Sequence, residues 1–156
     1  MAETIHDSFV LERTYPQAPA RVFAAFADPA RKKRWFADGG GDPDATYALD
    51  FKVGGLERSA YKITADVPVK GLIISSESQL QDIVENQRIV FTQVMALGGK
   101  RISASLVTFE LSPAGAGTKL VCTHHAAYFE GADGPKMRKA GWETLLVKLG
   151  AALADA

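Results

Sequence analysis

Hydrophobic and polar positions near the start of the chain change their spacing, which predicts a strand followed by a short helix. The segment from Ser8 to Tyr15 is rich in strand-forming residues and is stopped by a proline. From Pro19 to Ala27 the spacing becomes helical, and a proline in the first helical turn is well tolerated. We expect one buried face on this helix, made of Val22, Phe23 and Phe26.

A second short helix is predicted directly after the first. Asp28 followed by Pro29 is typical of a helix N-cap with proline at the first helical position. The basic run from Arg31 to Arg34 predicts a solvated helix face. Trp35 and Phe36 follow it and are expected to border the sheet.

Six more strands are predicted after the two helices. In the first of them Tyr47, Leu49, Phe51 and Val53 alternate with Ala, Asp and Lys, the spacing of a half-buried strand. Glycine, proline or asparagine marks the turns that separate the later strands, so the segment predicts an antiparallel meander. These later strands are expected at Glu57 to Ile63, Leu72 to Val84, Arg88 to Ala96, Arg101 to Leu111 and Lys119 to Phe129.

The C-terminal region returns to helical spacing and predicts one long amphipathic helix from Pro135 to Ala154. At ~1.5 Å per residue this helix would be about 30 Å long, enough to cross a small sheet. The fold class predicted is α+β, with residues 1–156 forming a single domain. The apolar stripe of the helix is expected to include Trp142, Leu145, Leu146, Leu149, Ala152 and Leu153.

Composition and charge narrow the class of partner. Lys and Arg number 18, as do Asp and Glu, so no net field draws the protein to nucleic acid or to an anionic membrane. No apolar run approaches the ~18 residues of a membrane span, and Met1 to Val10 lacks a signal-peptide pattern. The single cysteine, Cys122, excludes an internal disulfide. We therefore expect a cytoplasmic protein.

Several short motifs, in this order along the chain, resemble one protein family. The set is Ala18 to Phe23, Asp28-Pro29, Trp35, Asp50 to Gly55, Gln81 to Val84, Arg88 to Val90 and Gly117 to Leu120. It is similar to the START-like superfamily (SRPBCC, the polyketide cyclase and birch-pollen-allergen superfamily), in the branch of homologues of the activator of the 90 kDa heat shock protein ATPase. The resemblance extends from about Phe9 to Leu153.

The resemblance implies a helix-grip fold, in which a curved antiparallel sheet wraps around the long C-terminal helix with an apolar cavity between them. It implies binding of an apolar or amphipathic small molecule, with no cofactor. An enzyme similar to the polyketide cyclases is the alternative, and a chaperone accessory is a third hypothesis. Whether the protein forms a homodimer is left open.

The histidine pair offers the sharpest polar feature of the sequence. Neighbouring residues on a strand point to opposite faces, so His124 and His125 cannot both face one metal ion or one substrate. If Leu120 and Cys122 face the core, then His124 and Tyr128 do as well. Two interpretations follow for His124: a core histidine paired with a neighbouring hydroxyl or carbonyl, or a group that orients a ligand or moves a proton.

No catalytic motif accompanies this histidine. The sequence has no nucleophile elbow, no His-x-x-x-His helix and no phosphate-binding glycine loop followed by lysine. Asp82 and Glu110 lie on predicted strands, and either would supply a second acid or base if it faced the cavity. We therefore predict a binding protein with no catalytic residue and no metal ligand. Its expected ligand-binding side chains are Trp35, Phe36, Phe51, Tyr61, Phe91, His124, Tyr128 and Trp142.

Overall fold

The computed structural model describes residues 3–155, so residues 1, 2 and 156 of the predicted domain lie outside it. Seven strands form one antiparallel sheet in the order β1-β7-β6-β5-β4-β3-β2. The strands are β1 (Ile5–Tyr15), β2 (Thr46–Leu49), β3 (Leu56–Lys62), β4 (Ile73–Val84), β5 (Arg88–Leu97), β6 (Lys100–Ala114) and β7 (Gly117–Tyr128). The helices are α1 (Pro19–Ala27), α2 (Pro29–Phe36) and α3 (Pro135–Ala154). This is the helix-grip fold that the motifs predict.

Local signals fix where the helices begin. Pro19 and Pro135 stand in the first turns of α1 and α3. The Asp28 carboxylate caps α2 by accepting a hydrogen bond from the backbone N–H of Ala30 at 2.9 Å. Each signal acts within a few residues, and for this reason all three helices begin where the sequence predicts.

One face of the sheet and the three helices enclose the core. On α1 the buried side chains include Val22, Phe23 and Phe26, as predicted. The Tyr15 hydroxyl on β1 donates a hydrogen bond of 2.8 Å to the backbone carbonyl of Leu146, which ties α3 to the edge of the sheet. The buried stripe on α3 consists of Arg138, Trp142, Leu146, Leu149 and Leu153.

Several strand boundaries differ from the prediction, among them the start of β1, which lies at Ile5 and not at Ser8. The strand β2 ends at Leu49, so Phe51 and Val53 lie outside it and Val53 is exposed. The chain turns there because Asp50 and Gly55 donate backbone hydrogen bonds to Leu56 and Lys52. The strand β6 continues past its predicted end at Leu111 as far as Ala114.

None of the helices within residues 3–155 is long and apolar enough to cross a membrane.

Candidate functional site

A cleft of about 370 Å³ lies between the first half of α3 and the inner face of strands β3 to β5. Gly141 forms part of its helix side, and a Cβ built on this glycine would meet nothing within 4 Å. At this exposed position of the lining the helix therefore presents no side chain, and there is room for one. The large apolar side chains that line the cleft are Phe36, Tyr61, Ile74, Met95, Trp142 and Leu145.

Polar side chains from the sheet form part of the same lining. The hydroxyls of Ser59 and Ser76 lie 2.9 Å apart and form a hydrogen bond across β3 and β4. Gln93 on β5 is only 3% exposed and also belongs to the lining of the cleft. The walls are thus of mixed character, with apolar surfaces and several hydrogen-bonding groups.

Arg138 brings a buried charge to the edge of the cleft. Its Nε and Nη2 atoms donate hydrogen bonds of 2.8 and 2.7 Å to the two carboxylate oxygens of Asp133. Nη2 also donates to the Ser103 hydroxyl at 3.0 Å. Nη1 is buried and has no hydrogen-bond partner among the described residues. The guanidinium is therefore charge-balanced and retains an unused donor.

His124 lies on β7 with its ring fully buried, while His125 is exposed and its Nδ1 lies 2.6 Å from the Ser8 hydroxyl. This is the orientation that the strand alternation predicts. The His124 ring lies 6.4 Å from that of Trp142. Neither of its nitrogens has a hydrogen-bond partner within the described part of the chain. Burial, with the nearby charge of Arg138, lowers the pKa of His124 to about 4.

Tyr128 lies two inward positions further along β7. Its ring faces the Arg138 guanidinium at 5.2 Å, a cation–π arrangement. The buried hydroxyl has no hydrogen-bond partner in residues 3–155, and burial raises its pKa. Arg138 therefore acts electrostatically on both His124 and Tyr128.

A second buried ion pair joins α2 to β3. Lys32 Nζ on α2 lies 2.9 Å from the Glu57 carboxylate on β3, and both side chains are almost fully buried. The Tyr47 hydroxyl also donates to Glu57, and burial together with this negative charge raises the pKa of Tyr47. Lys32 Nζ lies 4.3 Å from the centre of the Phe36 ring. The predicted solvated face of Arg31 to Arg34 is therefore wrong at Lys32, which turns inward to meet a carboxylate.

Comparison with known proteins decides the family. The family model described as Activator of Hsp90 ATPase homolog 1-like protein matches residues 17–154. The chain belongs to this family. It is the branch of the START-like superfamily that the sequence motifs indicate.

Solved structures support the assignment to the activator-homologue family. The protein Mll3558 of Rhizobium loti is 46% identical over 96% of this chain and 99% of its own, with a TM-score of 0.85. A protein of Rhizobium leguminosarum is 35% identical over 100% and 99% of the two chains, with a TM-score of 0.90. CalU16 of Micromonospora echinospora, at 19% identity over 98% and 86% and a TM-score of 0.62, shares the fold. The comparison with curated proteins found no match.

The sequence predicts eight ligand-binding side chains for this member of the family. Three of them line the cleft: Phe36, Tyr61 and Trp142. The other five pack elsewhere. Trp35 is buried beside Phe26 and Phe36, and Phe51 packs edge-on against Phe23. Phe91 packs on Phe109. On β7, His124 stacks on Phe9 and the Tyr128 ring lies beneath Arg138. The structure thus separates an aromatic core from the smaller aromatic part of the cleft.

Neither acidic residue considered as a catalytic partner meets His124. Asp82 forms an exposed ion pair with Arg88 at 2.7 Å, and Glu110 is exposed on a strand whose neighbouring positions, Phe109 and Leu111, are buried. No group of three or more potential metal-ligating side chains occurs among the described residues.

The residues that sequence reasoning missed are mainly polar. Arg138 stands one helical turn before Trp142 on the buried stripe of α3, so its position was detectable from spacing alone. Gln93 stands two positions after Phe91, on the same face of β5. The sequence pattern does not single out either residue, because arginine and glutamine are usually exposed.

A different depression, of about 490 Å³, lies on the outer face of the sheet. His6, Ser8, Leu106 and His125 are among its lining residues, and all four are exposed. The polar contact there, between Ser8 and His125, is already made within the protein. The cleft under α3 is therefore the better candidate site.

Proposed function

We propose that this member of the activator-homologue family binds a small amphipathic molecule in the cleft beneath α3 and does not convert it. The observation that carries the proposal is the cleft of about 370 Å³ between apolar side chains of α3 and the sheet, with room for a side chain at Gly141 in its lining. Ligand sites are typically concave and mostly apolar, with a few polar groups that set orientation. The cleft has this composition.

Apolar contact supplies most of the affinity in this account. Burial of apolar surface contributes roughly 25 cal/mol per Å², and Phe36, Trp142 and Leu145 provide such surface on one side of the cleft. Tyr61 and Met95 provide it on the other side. A flat or extended apolar body fits between these two walls.

The arrangement around His124 favours binding without chemistry. A general base must come within hydrogen-bond reach of its proton, whereas this ring is enclosed and is not part of the cleft lining. With its pKa lowered to about 4, the imidazole is a weak base at neutral pH. Asp82 and Glu110 do not assist it.

A cyclase-like enzyme is the second candidate, and one observation favours it. Both ring nitrogens of His124 are unpartnered within residues 3–155, so the ring retains a donor and an acceptor. A ligand that reached past Trp142 would find a neutral imidazole able to exchange a proton. This candidate requires movement of buried side chains, and the binding function does not.

Cleft-blocking variants test the proposal. Gly141→Trp fills the open space and should favour the helix slightly, since glycine is a poor helix former. Ala140→Trp is the matched control, because Ala140 is exposed and lies outside the lining. A library of lipids and aromatic polyketides is screened by thermal shift against all three proteins.

Compounds that bind the cleft should raise the Tm of the wild type and of Ala140→Trp, but not of Gly141→Trp. At a hundredfold excess over Kd a ligand stabilises by about 2.7 kcal/mol, or about 5 to 10 °C for a chain of this size. Equal shifts in all three proteins, or no shift with any compound, would refute the cleft as the site. Each hit is then incubated with protein and followed by mass spectrometry. Conversion that disappears in His124→Phe would overturn the binding-only account in favour of the enzyme.

Protein partners form a separate proposal. The family name raises a chaperone partner, and a homodimer is also open. A pull-down against chaperones and light scattering in solution test these two ideas independently of ligand binding. The balanced charge supports a protein that binds neither nucleic acid nor membrane, and the single buried cysteine fits a cytoplasmic location.

A further inference from the structure

The inner face of the sheet changes from apolar to polar side chains between the part beneath Trp142 and the part beneath the cleft. Beneath Trp142 the row of paired residues that crosses strands β1, β7, β6, β5 and β4 is mostly apolar: Phe9, His124, Val107, Phe91 and Leu80. The next inward row, towards the cleft, contains Ala126, Ser105, Gln93, Ser78 and Glu57. A polar floor therefore begins at Gln93.

Gln93 is the group on this floor that faces the cleft without a partner. The residue is only 3% exposed, and it belongs to the lining of the cleft. No hydrogen bond joins its amide to any other residue in the described part of the chain, although Ser105 donates to its backbone carbonyl. An amide that lines the cleft and makes no hydrogen bond within the described part of the chain is suited to meet a polar group of a ligand.

The charged groups of the lining are already balanced. Arg138 is paired with Asp133 at 2.7 Å, and Lys148 is paired with Asp38 at 3.0 Å. A ligand carboxylate or ammonium would enter without an opposite charge to receive it, and its desolvation would be uncompensated. The hydrogen-bonding capacity that remains on Gln93 and on Arg138 Nη1 includes donors that suit an uncharged oxygen.

We propose that the cleft selects neutral ligands whose carbonyl or hydroxyl oxygen accepts a hydrogen bond from the side-chain amide of Gln93. This inference rests on the proposed binding function and specifies its ligand class. Arg138 and Asp133 act as a neutral pair that sets this preference: the carboxylate cancels the charge that would otherwise attract an acid. Arg138 Nη1, which is buried and has no hydrogen-bond partner among the described residues, is a further donor for a ligand that displaces its neighbours.

Three naphthalene probes of similar shape test the preference: 2-acetylnaphthalene, 2-ethylnaphthalene and 2-naphthoate. Kd is measured by NMR titration of the wild type, with Gly141→Trp to show which shifts arise from the cleft. The ketone should bind about five- to tenfold more tightly than the alkyl probe, the effect of one hydrogen bond. The carboxylate should bind at least about tenfold more weakly than the ketone.

Two variants assign the preference to residues. In Gln93→Leu the ketone and the alkyl probe should bind equally, with the alkyl probe bound at least as tightly as in the wild type. In Asp133→Asn the amide can still accept a hydrogen bond from Arg138, but the guanidinium loses its counter-charge. The affinity for 2-naphthoate should then rise about tenfold, while that for the ketone changes little.

The outcomes separate this inference from the function on which it rests. If no probe binds in the cleft and the compound library also fails, the binding function is wrong. If the probes bind in the cleft but ketone and alkyl are equal in the wild type, or the carboxylate is preferred, the inference alone is overturned. The same holds if Asp133→Asn leaves the affinity for the carboxylate unchanged.

Discussion

The rings of Phe9 and His124 are stacked, with their centroids 4.5 Å apart and their planes 10° from parallel. The two residues are paired across β1 and β7, so the sheet itself holds the imidazole against an apolar surface. An uncharged ring suits this place, and a protonated one would lose its hydration without gaining a partner. The stack therefore links the fold to the protonation state of its one buried histidine.

Acid should destabilise the protein through His124. In the unfolded chain a histidine has a pKa of 6.5, whereas burial lowers that of His124 to about 4 in the folded state. Between these values the unfolded chain binds a proton that the folded chain does not. The stabilisation is fully present above about pH 6.5 and is lost as the pH falls towards 4, by about 2 kcal/mol between about pH 7.5 and pH 5.

Urea unfolding of His124→Phe and His125→Phe at the two pH values checks this. The first variant keeps an aromatic ring in the stack and should lose that part of the pH dependence. The second should behave like the wild type, because His125 is exposed. An unchanged pH dependence in His124→Phe would show that the ring does not titrate as described.

Removal of Lys32 should be strongly destabilising. Lys32→Met leaves the buried Glu57 carboxylate without its cation, which costs about 3 to 5 kcal/mol in comparable buried pairs. Lys33→Met, at an exposed position on the same helix, should change the free energy of unfolding by less than about 0.5 kcal/mol. The double variant Lys32→Met/Glu57→Gln should recover much of the loss, and purely additive costs in this cycle would contradict a direct interaction.

The last helix should depend on its inward stripe. Leu149 is fully buried, so Leu149→Ala should lower the free energy of unfolding by about 2 to 5 kcal/mol. Val147, on the same helix, is 69% exposed, and Val147→Ala should cost less than about 0.5 kcal/mol. Equal costs in chemical denaturation would mean that α3 is seated differently on the sheet.

Cys122 should be inert in the folded protein. Burial raises the pKa of its thiol to about 12, and the thiolate is the reactive species. A disulfide reagent at about pH 8 should therefore label the denatured chain fully and the native chain only as fast as it unfolds. Rapid stoichiometric labelling of native protein would contradict the placement of this side chain.

The fold was largely predictable because the signals that start and end its helices and strands are local in sequence. Prolines and the Asp28 cap set the helices, and alternation set most strands. The end of β2 was not predictable, since its turn uses a hydrogen bond from Gly54 to Leu80, which is distant in sequence. The extension of β6 through Pro113 is tolerated because β5 begins at Arg88, opposite Glu110, so β6 has no neighbour on that side.

The candidate site was less predictable, for a physical reason. Whether a charged residue is buried depends on an opposite charge that the fold brings near. Glu57 is 25 residues from Lys32 in sequence, and no local pattern joins them. Asp133 and Arg138 are close in sequence, but Ser103, which completes their contacts, comes from β6. Aromatic residues were instead predicted too widely as ligand-binding. Side chains that pack in the core and side chains that line the cleft occupy the same inward positions, so the sequence does not separate them.

The most direct test of the binding account is a crystal structure of the protein with the tightest-binding compound from the screen. We predict electron density for the compound between Gly141 on α3 and Gln93 on β5, with its apolar body against Phe36 and Trp142. Density on the outer face of the sheet, between His6 and His125, with the cleft beneath α3 unoccupied, would contradict the account.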